Sequence, residues 1–336
     1  MKKKIVSALK IVLFFAVGIF VFWLAYRGQD FSSLWQAVKS ADWIWIVLYV
    51  FLALAGHYSR ALRWSLLLEP MGYRPKSFNL FSAIMLMYFS NMAVPRSGEF
   101  IRCGITSRYE NIPFAKSFGT VITERLVDMA VFIILTAVVL IWHNGIIVSV
   151  LDENPQIMSR LQTIESYLPV IIISGILLAA LCAVFFWYAV KKNLFGLGDK
   201  IKSVLKNVRD GVLTVLKIKK KLLFLFHTVV INFMYYLEIY LPFKAFSFTE
   251  NLTAGDALTV FVLSTYGVVV PSPGGMGTWH FIVIELLALL GVARDPSGRA
   301  YALVTHGVQD ILFLAGGVLL LFLLPVVNKK INPQIK

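Results

Sequence analysis

Four short stretches hold most of the residues able to do chemistry in a chain that is otherwise apolar. In GHYSRALRWSLLL, His57, Arg60 and Trp64 recur at helical spacing with Arg63 beside them. In NMAVPRSGEFIRCG, Pro95 and Gly98 interrupt an apolar run, and Arg96, Glu99 and Arg102 surround the break. TERLVDMAVF places Glu124 and Asp128 four residues apart on one helical face, with Arg125 adjacent. In VVVPSPGGMGTWH, Pro271, Pro273, Gly274, Gly275 and Gly277 lead into Trp279 and His280.

Each stretch supports two readings. Arg60 and Arg63 either snorkel to fix a helix at its membrane depth or bind a headgroup phosphate, which arginine matches bidentately. At the Pro-x-x-Gly corner, Arg96, Arg102 and the backbone N–H groups of a new helix would make an anion site. Glu99 and Arg102, three apart, would also pair locally, and Glu99 suits a helix N-terminus. Charges inside apolar segments need partners, and Arg60, Arg63 and Arg102 are the available ones for Glu124 and Asp128. That network is either purely structural or a site of proton coupling or acid–base chemistry. The glycines at 274–277 would let backbone approach an anionic headgroup, or simply form a tight turn. His306, Gln309 and Asp310 are placed to face His280. No histidine spacing suited to a metal appears, and neither metal nor cofactor is expected.

Composition defines what must position these residues. Of 336 residues, 58% are hydrophobic and only 15% are charged, with a mean hydropathy of +0.76. Soluble domains carry roughly 25% charged residues, so the expected class is an all-α polytopic membrane protein. The net charge of +14 does not point to nucleic acid, because basic residues cluster between apolar segments: Lys2 to Lys4, Arg60 to Lys76, Arg96 to Lys116, Lys191 to Lys221 and Lys329 onward. Asp152 to Glu165 and Glu250 to Asp256 lean acidic. The positive-inside rule therefore puts both termini in the cytoplasm, with anionic membrane lipids as partners of the basic surface. Cys103 and Cys182 lie far apart in apolar contexts and form no disulfide or metal pattern. The run from Ile5 to Tyr26 lacks a small-residue cleavage site and reads as an anchor.

Lengths then predict a single integral membrane domain over 1–336, with about six full spans: 5–26, 43–66, 116–142, 167–190, 222–246 and 301–327. Regions 77–110 and 255–291, each broken by Pro and Gly, read as re-entrant hairpins of broken helices. The orientation bookkeeping puts the first on the cytoplasmic side and the second outside. Non-helical backbone survives at membrane depth only when buried in protein or lining a wet cavity, so both corners should line something. Halves 43–142 and 222–327 would then form an inverted repeat, the plan of many alternating-access transporters. They are joined by 143–221, whose basic part 191–221 has the spacing of an amphipathic helix on the cytoplasmic interface.

SRALRWSLLL, SNMAVPRSGEFIRCG, TERLVDM and VPSPGGMGTWH, in that order, resemble the flippase-like family named for the transmembrane region of lysylphosphatidylglycerol synthase, over roughly residues 5 to 327. The resemblance implies a membrane domain that moves or handles lipid: an aminoacylated phospholipid in the best-understood members, polyprenyl-linked lipids in others. Many members carry an acidic residue where this chain has His280, so no carboxylate role transfers there. Bifunctional members add a large soluble aminoacyl-transferase domain, whereas this chain stops at Lys336, and lysyltransferase activity is not expected.

The expected function is translocation of an anionic, phosphate-bearing or polyprenyl-linked lipid between the leaflets of a prokaryotic inner membrane. Arg60, Arg63, Arg96, Gly98, Glu99 and Arg102 would meet the headgroup from the cytoplasmic side, and Pro273, Gly274, Gly275, Gly277 and His280 from the other. Glu124, Arg125, Asp128, His306 and Gln309 would form the charge network or couple protons. With no nucleotide-binding motif, the driving force falls to an ion gradient, a partner or the lipid gradient. The alternatives are a membrane-embedded headgroup transferase or phosphatase, and a scaffold for a separate lipid-modifying enzyme.

Overall fold

The computed structural model describes residues 30–142, 206–269, Gly275 and 277–328. The expected spans at 5–26 and 167–190, residues 191–205 of the basic segment, and Pro271, Pro273 and Gly274 lie outside the described residues. Helices α1 (Phe31–Lys39), α2 (Trp43–Leu68), α3 (Ser77–Ala93), α4 (Gly98–Glu110) and α5 (Phe114–Trp142) precede that central stretch. After it come α6 (Lys221–Ala245), α7 (Ala254–Val269), α8 (Thr278–Leu289) and α9 (Arg299–Asn328). Among the described residues there is no strand.

Helices α2, α5, α6 and α9 are long and apolar enough to cross a membrane, and each ends within two residues of the apolar run that predicts it. Of the other five, α3 with α4 and α7 with α8 form two helical hairpins. At 1.5 Å per residue, the 17 residues of α3 reach about 25 Å and the 13 of α4 about 20 Å. Both are short of the roughly 30 Å hydrocarbon core. The 16-residue α7 and 12-residue α8 are shorter still as a pair. Asp42 caps α2 through its side chain, accepting from the Ile44 N–H at 3.1 Å.

The most extensive pairing joins α2 to α6. The Asp42 N–H donates to the Ala245 carbonyl at 2.7 Å, so the start of α2 lies beside the end of α6 and the two run antiparallel. Near the opposite ends, Ser59 Oγ lies 2.8 Å from His227 Nδ1. The hairpins pack crosswise, α3 against α9 and α7 against α5. Residues such as Leu126, Met129, Ile133, Ile134 and Ile141 of α5 stay exposed, an apolar surface that acyl chains would cover and water would not.

Glycine sets the α2–α6 seam. A Cβ added at Gly56 would lie 2.9 Å from Met234 Cβ, closer than two carbons pack. Gly104, in contrast, has open space where a Cβ would go. Gly56→Leu should lower the stability of detergent-purified protein by about 1–3 kcal/mol through overpacking. Gly104→Ala should change it by less than about 1 kcal/mol. Thermal unfolding of both variants checks the contrast.

Candidate functional site

Glu124, on the inward face of α5, is fully buried and meets three arginines. Arg60 Nε donates to its Oε1 at 2.7 Å, and Arg102 Nη2 to its Oε2 at 2.7 Å. Arg63 Nη2 lies 3.7 Å from Oε1. One turn further along, Asp128 accepts from Arg63 Nη2 at 2.6 Å and from Arg60 Nη2 at 3.1 Å. Local periodicity builds this ladder: arginines three apart on α2 face carboxylates four apart on α5.

Aromatic and hydroxyl groups hold the arginines in place. The Arg102 guanidinium lies 4.3 Å from the Trp64 ring centre, and Trp64 Nε1 donates to Thr120 Oγ1 at 2.8 Å. Arg60 Nη1 donates to the hydroxyls of Tyr88 and Tyr235, both at 2.9 Å. One point therefore ties together α2, α3, α4, α5 and α6. Arg60 and Arg63 do not snorkel: they are 3% and 0% exposed and turn inward to these carboxylates.

The first Pro/Gly corner differs from expectation in two respects. Glu99 does not pair with Arg102; it accepts from Arg125 Nη2 at 2.9 Å, while Arg102 turns to Glu124. Three apart on a helix permits the local pair, but the buried carboxylate offers Arg102 a bidentate partner out of water. The backbone N–H groups of the corner are also largely engaged. Gly98 donates to Asn91 Oδ1 at 2.8 Å, and Phe100 and Ile101 donate to the Ser97 carbonyl. Gly98 itself sits where a Cβ would run into the Met87 backbone, so its small size lets α4 pack on α3.

Beside the network lies a cavity of about 400 Å³. Pro95 and Arg96 from the first corner and Gly275 and Trp279 from the second line this same space. Arg96 holds φ at +63°, a left-handed conformation that disfavours side chains by roughly 1–2 kcal/mol and concentrates at functional positions. Glu99 and Arg125 line the cavity as a pair, whereas Arg60, Arg63, Arg102 and Glu124 stand one layer behind, with Met87 and Tyr88 between. Gly275 and Gly277 take φ of +82° and +87°, and Gly277 serves as the N-cap residue of α8.

The α9 wall is polar. His306 and His280 do face each other, with ring centres 4.7 Å apart, but of the two only His306 reaches the cavity. His306 Nδ1 is 3.2 Å from Asp310 Oδ2, and Gln309 Nε2 donates to Glu238 Oε2 at 3.1 Å. Sequence reasoning missed Glu238, a lone acid in the middle of the apolar run NFMYYLEIYLPF, which the rarity of charge within spans would have flagged. Tyr49, Tyr88 and Tyr235 were missed as well. They gave no signal, because tyrosine is common in membrane helices and only packing decides which rings turn inward.

The family profile described as lysylphosphatidylglycerol synthase TM region matches residues 8–317. The chain belongs to this family. With its four apolar crossing-length helices, membership makes it an integral membrane protein. The lysylphosphatidylglycerol synthase TM region match spans the charge network and both corners of the cavity. Full-length relatives include a UPF0104 membrane protein of Methanocaldococcus jannaschii, 23% identical over 331 residues that cover 91% of this chain and 92% of the relative. A UPF0104 membrane protein of Methanothermobacter thermautotrophicus is 26% identical over 287 residues, 79% of this chain and 81% of that one. A shorter match, 31% identical over 83 residues, is to the Haloferax volcanii protein named glycosyltransferase AglD, covering 24% of this chain and 13% of that protein.

Burial separates the two kinds of ion pair here. Glu124→Ala removes a fully buried carboxylate and should cost about 3–5 kcal/mol, because three arginines lose their counter-charge. Glu99→Ala breaks a partly exposed pair and should cost no more than about 1 kcal/mol. Chemical unfolding in detergent distinguishes the two; equal costs would show that Glu124 does not organise the network.

Proposed function

We propose that this protein moves a lipid with a phosphate-bearing or otherwise anionic headgroup between membrane leaflets, and that the headgroup passes through the central cavity. Family membership gives a membrane lipid-related role. The observation that carries the finer reading is the convergence of both interrupted hairpins on one polar-walled space. Broken helices meeting at a cavity are the usual plan of a substrate site in a transporter.

The arrangement of helices supports an inverted repeat, α2–α5 and α6–α9. The repeat would make α2 and α6 antiparallel equivalents, and it pairs the contact of α3 with α9 to that of α7 with α5. Orientation follows from charge. Glu69 and Lys220 meet at 3.0 Å, and Asn79 meets Asn328 at 3.0 Å, so the ends holding Arg74, Lys76, Arg108, Lys116 and Lys217 to Lys221 share a face. The positive-inside rule makes that face cytoplasmic.

Within this reading Arg96 contacts the headgroup phosphate. Arg60, Arg63 and Arg102, matched by Glu124 and Asp128, hold the first hairpin against α2 and α5 and give the cavity its fixed wall. Gly275 and Gly277 let the headgroup approach backbone at the second corner. His280, His306 and Gln309 order the α9 side, and Arg125 holds Glu99 at the first corner.

Vesicles carrying reporter-labelled anionic phospholipid test this. Wild type should accelerate leaflet exchange over protein-free vesicles. Arg96→Gly, which keeps the left-handed backbone and deletes the charge, should slow it about tenfold to a hundredfold, the loss of a charge-assisted hydrogen bond. No acceleration of any anionic or polyprenyl-phosphate lipid would sink the transport reading. A change in lipid mass would favour a headgroup enzyme instead.

A further inference from the structure

Two buried glutamates in apolar helices have opposite surroundings. Glu124 faces three guanidinium groups. Glu238, on α6, is 7% exposed and lines the cavity. Its Oε2 accepts from Gln309 Nε2 at 3.1 Å, while its Oε1 has no hydrogen-bond partner. Among the described residues no Lys, Arg or His lies within ion-pair distance of it.

The described groups packed around Glu238 do not supply that charge. From α2 come Tyr49, whose hydroxyl points to the Thr305 carbonyl at 3.4 Å, and His57, whose ring nitrogens have no partner. On α6 Arg60 donates to Tyr235, one turn before Glu238, and it is balanced by Glu124 and Asp128. From α9 come Tyr301, bonded to the Ile239 carbonyl, and the His306–Asp310 pair. The part of α7 at the cavity contributes Ser264 and Thr265, and α8 contributes Trp279. Arg96 and the Glu99–Arg125 pair line the same cavity at the first corner, and Tyr88 joins them from α3.

An ionised carboxylate with a bare oxygen, out of water and without a cation, is strongly disfavoured. Adding a proton to Oε1 neutralises it and leaves Oε2 free to accept from Gln309. Two like groups with opposite environments take opposite protonation states, and so take different roles. We propose that Glu238 is a proton-carrying site: its Oε1–H bond forms with a proton from water on the side to which the cavity is open and breaks toward water on the other. Lipid movement is then linked to the proton gradient. The linkage rests on the transport reading above, whereas the protonated state of Glu238 does not.

Two measurements test it separately. Infrared spectra of purified wild type at neutral pH should show the carbonyl stretch of a protonated carboxylic acid. Glu238→Gln should remove that band and Glu124→Gln should leave it. A band indifferent to Glu238→Gln overturns the proposal whether or not lipid moves. In vesicles with an imposed pH gradient, one proton per lipid shifts the leaflet distribution about tenfold per pH unit. Wild type and Glu238→Asp should respond, and folded Glu238→Gln should not. A wild-type distribution that ignores the gradient overturns the linkage. If no lipid moves at all, the transport reading and the linkage fall together, and the infrared band still decides the proton.

Discussion

The Glu124 carboxylate is the fixed point of this molecule. Guanidinium groups from α2 and α4 converge on it in a region from which water is excluded. Neither hairpin arm is long enough for the bilayer to hold at both ends, so α3 and α4 need an internal anchor. Arg102 supplies it, gripped by Glu124 on one side and by the Trp64 ring on another. Removing water strengthens each of these contacts and raises the cost of leaving any one group alone. The network therefore acts as a unit, and its geometry passes to the cavity wall through Tyr88 and Met87.

The second constraint is the fate of broken backbone at membrane depth. Among the described residues of each corner, side chains bond backbone groups as a continuous helix would have done. At the first, Asn91 accepts from Gly98 N–H, and Ser97 Oγ donates to the Val94 carbonyl at 2.7 Å. At the second, Thr278 Oγ1 donates to the Gly267 carbonyl at 2.9 Å. With the backbone satisfied in this way, the chain can turn back inside the protein and leave a space between the two turns. Arg96 and Gly275 reach that space from opposite halves of the sequence. Both adopt a left-handed backbone, which glycine accepts freely and arginine does not.

Charge is distributed unevenly around this space. The positive groups nearest the first corner are mostly balanced by carboxylates, whereas the α6–α9 wall presents Glu238 and Asp310 with a histidine and an amide. Charge does not follow the pairing of spans and hairpins on the two sides of the cavity. The two sides of the cavity therefore differ in chemistry.

The sequence by itself determined the four described spanning helices, though not α1. The ends of α2, α5, α6 and α9 were legible to within two residues, because a bilayer imposes length and each helix satisfies its own backbone hydrogen bonds. The interrupted hairpins were legible too, since Pro and Gly act locally. Arg60, Arg63 and Arg102 as partners of Glu124 and Asp128 followed from the need of a buried charge for its opposite. The tertiary structure decided which of those groups faces the cavity. It moved Glu99 from Arg102 to Arg125, set Arg60, Arg63 and Arg102 behind the wall, and brought Glu238 to the surface of the space. Hydropathy and helical period are properties of neighbouring residues, whereas the rotation of a helix about its axis is fixed by packing against other helices, which for α2, α3 and α5 include ones more than a hundred residues away.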